Sequence, residues 1–418
     1  MASLCRRICT FAYAFVLLVI SGYAQAASSE GLSGWLLWRL GYNTSPDQRS
    51  LALNEQILQL EWNKPDIYGW RVDAKLWAQR EGELEPNVFR DIGLRELNIT
   101  KQAASSSLTL GRQIVVWGKA DGFRLLDVVN PIDLREFVLG DDVRARLPLW
   151  MINAQLYRQD DEQWQFIFVP ETYHDRLPDA GGEFDPYTQL RQPGINLLPV
   201  QVPANTPGNW SVGLRWARTL GNVDLSLIAL HNLESTPVLF TSVAGSGVIT
   251  VEPRIVKRSI FGVTIDTSIG QTVLRGELAV SPDEYRTLSD ASGATQQVRR
   301  TVVRSLLGID WFVHDWVISP QLFNCHAPGS PGVGSEPDGS YASLTLERKF
   351  YYDKFKFKAF GASALSKNDN WLSLELHYQL QGNIEAAISA DWLSGDSTGF
   401  FGQFGNRDRV VFSVKGYF

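Results

Sequence analysis

The sequence predicts an all-β chain: a transmembrane antiparallel β-barrel of about 16–18 strands, with one segment folded inward or capping a mouth. Three observations predict it. Segments of about ten residues alternate apolar and polar side chains with period two along most of the chain. The N-terminus has the three parts of a secretory signal. The C-terminus stops inside an alternating segment, on a bare aromatic, Phe418.

Composition agrees. The chain has 418 residues, 44% apolar and 20% charged, with 35 glycines, 14 tryptophans and only 2 methionines. Disorder is excluded by the apolar content, and abundant Gly and aromatics favour strands with tight turns over helix bundles. The formal charge of −6 lacks the positive excess that a nucleic-acid partner requires.

Residues 1–26 read as a signal peptide. Arg6 and Arg7 precede an apolar run from Phe11 to Ile20, and Ala24-Gln25-Ala26 is a small-x-small cleavage pattern. The barrel then occupies residues 27–418. Cys5 and Cys9 fall in the removed segment, so Cys325 is the one thiol left and no internal disulfide is expected. No later run is apolar for long enough to be a membrane helix.

Strands are expected near 34–43, 50–63, 67–80, 88–101, 106–118, 149–159, 162–170, 209–219, 222–232, 255–268, 271–281, 299–313, 316–325, 340–350, 354–365, 370–381, 384–394 and 408–418. In WLSLELHYQL, Leu372, Leu374, Leu376, Tyr378 and Leu380 share one face and Ser373, Glu375, His377 and Gln379 the other. Short turn signals alternate with longer polar connections such as 283–299, 326–339 and 395–407, the rhythm of a barrel with tight turns at one end. A charge facing lipid at mid-bilayer costs about 2–4 kcal/mol. That cost directs Arg71, Asp73, Lys75, Arg275, Glu277, Glu375 and His377 into the lumen; Glu385 and Asp391 follow by the same parity. Arg112 shares parity with Leu108 and Leu110, which leaves its side open. A last strand that pairs with the first explains why the chain ends where it does, because closure satisfies its backbone.

Two stretches break the rhythm, and long connections are where function concentrates. Residues 118–148 are crowded with charge: Arg124, Asp127, Asp133, Arg135 and Glu136 are the candidates to set a lumen constriction. Asn130-Pro131 reads as a helix start there, with Asp133 in the first turn. Residues 170–208 are rich in Pro and Gly, and Tyr173, Phe184 and Tyr187 give the loop something to pack. The expectation is that 118–148 enters the lumen or covers one mouth and that 170–208 covers the other.

Gly111-Arg112-Gln113, Trp117-Gly118 and Asn130-Pro131-Ile132-Asp133 resemble a bacterial outer-membrane barrel family of unassigned function. The Gly-Arg-Gln strand is also similar to one in alginate-export porins. The resemblance implies a one-chain barrel in the bacterial outer membrane with a transport role, and names no substrate. The terminal strand also resembles the recognition signal of outer-membrane proteins, which implies barrel-assembly machinery as a partner through Phe418; Gly416 departs from that pattern.

The chemistry expected is passage rather than catalysis. The five histidines, His174, His231, His314, His326 and His377, show no metal-ligand spacing, and no cofactor motif is present. His174-Asp175 and His314-Asp315 are adjacent pairs, which strand geometry points to opposite faces. The reading is a non-enzymatic channel for passive, selective passage of an organic solute, an envelope polymer or a lipid-like compound, in contact with outer-membrane lipid. Two alternatives stay open: a non-transporting docking barrel, and a hydrolase at the rim.

Overall fold

The computed structural model describes residues 31–45, 50–82, 89–119, 122–140, 142–158, 161–243, 247–289, 295–327 and 339–418. The signal segment 1–26 lies outside the described residues.

In chain order the strands are β1 (Leu32–Asn43), β2 (Leu51–Ile67), β3 (Trp70–Gly82), β4 (Phe89–Ala103), β5 (Ser106–Gln113), β6 (Leu149–Arg158), β7 (Glu162–Val169), β8 (Ile195–Leu197), β9 (Ser211–Leu220), β10 (Val223–Leu233), β11 (Val238–Val243), β12 (Ile249–Arg254), β13 (Lys257–Ile269), β14 (Thr272–Ser289), β15 (Thr295–Val313), β16 (Trp316–His326), β17 (Gly339–Phe350), β18 (Phe355–Ala364), β19 (Asp369–Gln381), β20 (Ile384–Gly395) and β21 (Arg409–Tyr417). Eighteen of them form one antiparallel sheet. Each expected strand is present. Strands β8, β11 and β12 make a separate three-stranded sheet. It is built from the 170–210 and 234–256 connections, and the strand list above has no counterpart for it.

The sheet is closed. Strand β1 pairs with β2 on one side and with β21 on the other, in a register that runs from Trp35 opposite Tyr417 to Asn43 opposite Arg409. Gly34 and Phe418 exchange both backbone bonds, at 2.8 and 2.9 Å. The last strand therefore has no free edge, the condition a strand must meet in apolar surroundings. The outer wall calls for such surroundings: Leu76, Ile92, Leu156, Phe166, Phe261, Leu307, Trp311 and Phe412 are exposed on it. A soluble monomer rarely exposes so wide an apolar belt. Arg112 pairs across to Trp150 and stands on this outer face.

Two departures from expectation have local causes. Strands β14 and β15 run on to Ser289 and back from Thr295, so the supposed polar loop 283–299 is mostly a hairpin extension. Pro282 lacks an N–H, and the register shifts between Ser281 and Glu284 before pairing resumes. Strand β5 stops at Gln113 rather than near 118, because the main chain beyond it turns to a side-chain partner, Asn130.

Turns of two to four residues close one end of the sheet. Connections 114–148, 170–210, 234–256 and 396–408 all leave from the other end. Both rhythm-breaking segments thus enter from the same mouth. The hairpin β6–β7 lies between them, and a hairpin returns the chain to the side it left. The expectation that they cover opposite mouths fails for that reason.

The seam gives a direct check. Leu37 and Lys415 face each other across β1 and β21 at a position without mutual backbone bonds, where Cα atoms approach to about 4.5 Å. Cysteines at these two sites should form an intrachain disulfide on oxidation, shown by a cross-linked terminal fragment after proteolysis. An open sheet would leave both thiols free.

Candidate functional site

Side-chain to main-chain bonds shape the 114–148 segment. Asn130 Oδ1 accepts from the Val115 N–H at 2.8 Å, and Asn130 Nδ2 donates to the carbonyls of Leu147 (2.9 Å) and Gln113 (3.3 Å). One amide stitches the way in to the way out. The expected helix start at Asn130 is therefore absent. Its side chain is engaged elsewhere, and Ile132 and Asp133 are extended, bridged to Arg146 and Arg176. Among the described residues the segment's one helix is a single turn, α1 (Asp142–Ala145).

The segment then reaches the wall nearly all the way round. Trp117 Nε1 donates to Gln165 of β7 at 2.9 Å, and its ring lies over Gly213 of β9, where a Cβ would stand 2.6 Å from it. Leu126 fills the matching notch at Gly262 of β13. Lys119 pairs with Asp266, its N–H donates to Glu277 at 2.5 Å, and its carbonyl accepts from Arg275 at 3.3 Å. Phe123 stacks on Phe323 at 5.0 Å. On the far side Arg135 meets Glu81 at 2.8 Å, and Arg144 meets Glu55 at 3.4 Å. Glu136 takes Arg39 of β1 at 2.6 Å and Arg409 of β21 at 2.7 Å. That carboxylate spans the seam where the barrel closes. We call this segment the plug.

The 170–210 connection braces it. Asp175 is buried; its carboxylate accepts from the Ile132 N–H and from the hydroxyls of Ser235 and Thr236, joining three connections. Burial pushes the Asp175 carboxyl up, and those three bonds offset part of the rise. Phe184 packs on Phe404, which packs on Phe137 of the plug. Asp369 fixes the 396–408 connection by accepting from the N–H groups of Phe400, Phe401 and Gly402 at 2.7–2.8 Å.

The plug does not fill the barrel. A cavity of about 1050 Å³ remains between it and the wall from β13 to β21. Of the expected constriction residues, Arg124, Asp127 and Asp133 line this cavity. Arg124 donates to Asp127 at 2.9 Å, and Arg146 joins the same carboxylate at 2.7 Å. Arg135 and Glu136 do not line the cavity. They are anchors, because a buried charge needs an opposite charge and the wall supplies it. Asp121 and Asp141, which add to the charge of this stretch, lie outside the described residues.

The expected lumen wall divides too. Arg275, Glu375 and His377 line the cavity, whereas Glu277 holds the plug's main chain. Arg71 pairs with Asp73, and Lys75 with Glu96, both at 2.9 Å; all three expected residues face inward but none lines the cavity. His377 lies between Glu375 and Glu385, 3.0 Å from each. Sequence reasoning missed Arg39, Glu55, Glu81 and Arg409 as plug partners. Arg39 alone carries a signal, an isolated charge at inward parity in an apolar strand, whereas Glu55 and Glu81 sit among other polar residues of their strands.

Comparison with known proteins now bears on this architecture. The family described as a protein of unknown function, DUF1302, matches residues 78–357. The chain belongs to that family. The DUF1302 match takes in the Gly111–Asp133 stretch. No curated protein matches the chain. Among solved structures, Pseudomonas aeruginosa OccK2 (OpdF) in complex with glucuronate is similar, with 11% identity over 93% of this chain and 97% of that one and a TM-score of 0.52. Pseudomonas aeruginosa OccK5 (OpdH) gives 11% identity over 93% and 98%, with a TM-score of 0.52. Acinetobacter baumannii OccAB2 gives 9% over 93% and 97%, with a TM-score of 0.50. At these identities the likeness is one of fold.

Catalytic geometry is sparse. His174 bonds the carbonyl of Asp175, not its carboxylate, and His314 sits in a turn. His231 and Ser259 meet at 3.1 Å on the outer face. Among the described residues no carboxylate is bonded to His231, so nothing orients it as a base. Among the described residues no group of three or more His, Cys, Asp or Glu is placed to hold a metal ion.

Glu136 is the anchor to test. Burial alone would raise its carboxyl, but Arg39 and then Arg409 outweigh burial and hold it well below the usual carboxylate range. A carboxyl depressed on folding contributes fully above its unfolded value, near pH 4.3, and loses that contribution as pH falls through the folded one. Glu136→Ala leaves two buried guanidiniums without this partner and should cost about 3–5 kcal/mol at pH 7. Urea titration of the refolded protein should show that deficit, and show it shrinking below about pH 4.

Proposed function

We propose that this DUF1302 chain is an outer-membrane channel for passive, selective passage of an organic solute, with the space beside the plug as its path. One observation carries the reading. A single cavity is lined by Ser235 and Thr236 near the end that bears the long connections and by Phe312 and Tyr417 near the short turns, inside a closed wall whose outer face is apolar. The volume of about 1050 Å³ suits a small molecule better than a polymer. OccK2, of the same fold, holds glucuronate, which supports an organic solute as the class. The apolar belt would meet lipid, and the strand ending on Phe418 would present the chain to assembly machinery.

Conductance tests it. The purified chain in a planar bilayer should show discrete open steps. Arg124→Ala with Asp127→Ala removes two side chains from the cavity surface and should raise the step size. A folded chain that stays silent in both forms contradicts passive passage and favours a docking role.

A further inference from the structure

The cavity is not uniformly polar, as a path for sugars or salts would be. Towards the long connections its surface carries Phe123, Phe323, Phe360, Trp371 and Phe400. They are held tilted and stacked: Phe360 lies 4.6 Å from Trp371, and Phe123 lies 5.0 Å from Phe323. Towards the short turns, Phe312 faces inward, pairs across to Val317 and is 44% exposed. Tyr417, 40% exposed, lines the same cavity. An aromatic ring left in lumen water has no packing role to explain it.

Beside Phe312 and Tyr417, at the short-turn end, lies an ionic stretch of both signs. Lys356 pairs with Glu347 at 3.1 Å, and His377 bridges Glu375 and Glu385. Lys415 stands over the Tyr417 ring at 4.7 Å. Opposite them, on the plug, Arg124 and Asp127 face the same space. A solute on this path meets ring faces first, and then charges set beside two further rings.

We propose that the cavity takes organic ions with an aromatic or apolar body, the body moving over Trp371 and Phe400 and leaving past Phe312 while the charged end is passed along the paired lysines and glutamates. The inference rests on the channel reading and adds the solute class. The alternative is that the aromatic residues only seat the plug. Phe312 separates the two, because its ring is 44% exposed and so is not packed as a seat for the plug would be.

The test is current interruption in a planar bilayer with the full chain. The probes are benzoate against acetate and benzylammonium against methylammonium, pairs that share a charge and differ in body. For at least one pair, the aromatic member should interrupt the open current at a concentration about tenfold lower than its small partner, the effect of one good ring contact with its burial. Phe312→Ser or Trp371→Ser should bring that ratio down, and Phe312→Ser replaces a ring that is already 44% exposed. Equal interruption within both pairs overturns the proposal, as does a ratio unchanged in both variants while the pore still opens. A wild-type chain with no open steps in salt alone overturns the channel reading, and this inference with it.

Discussion

The structure depends on one constraint: a strand edge facing apolar surroundings must find a partner within the chain. Closure supplies it, with β21 pairing β1 from Tyr417 to Arg409. Closure also sorts the side chains. Parity sends one set to an outer face that is mostly apolar and the other to an interior that holds most of the charges of the wall. Those inward charges then need partners, and the plug provides many of them. Glu136 is the clearest case, because it joins Arg39 of the first strand to Arg409 of the last. The plug is therefore part of the seam as well as an obstruction in the lumen.

The same logic explains why the path is one-sided. The plug is seated in two glycine notches, at Gly213 and Gly262, and in ion pairs with Glu81, Glu55 and Asp266. These draw it towards β2, β3, β9 and β13 and leave space that lies mainly against β14–β21. Its partners there are aromatic more than ionic: Phe123 packs on Phe323 and Tyr341, and Phe137 packs on Phe400 and Phe404. The open side of the lumen is left with ring faces at one end and paired charges below them.

Much of the barrel was legible because period-two alternation is a strong signal over ten residues. Strand positions, the pairing of the ends, and the inward direction of Arg71, Arg275, Glu375 and His377 all follow from parity and the cost of a charge in lipid. The family of unknown function that matches residues 78–357 and the porin-like fold together support a β-barrel family. The interior of the plug was less legible. Asn130-Pro131 has the local chemistry of a helix start, but three long-range bonds from the Asn130 side chain override it. The roles of Arg135 and Glu136 depend on which wall residue each meets, and that distance along the chain carries no periodic signal. The β11–β12 hairpin was missed because both strands are short and stand outside the barrel wall.

The central claim is that the plug is fixed and that passage runs beside it. The most direct test is to tether the plug and record current. Cysteines at Leu126 and Gly262 place the link at a close plug–wall contact, where a Cβ on the glycine would stand 2.4 Å from the leucine side chain. The account predicts open steps of the same size with the disulfide formed and with it reduced. Steps that vanish on oxidation and return on reduction would contradict it, and would mean that the plug must leave the wall for the channel to open.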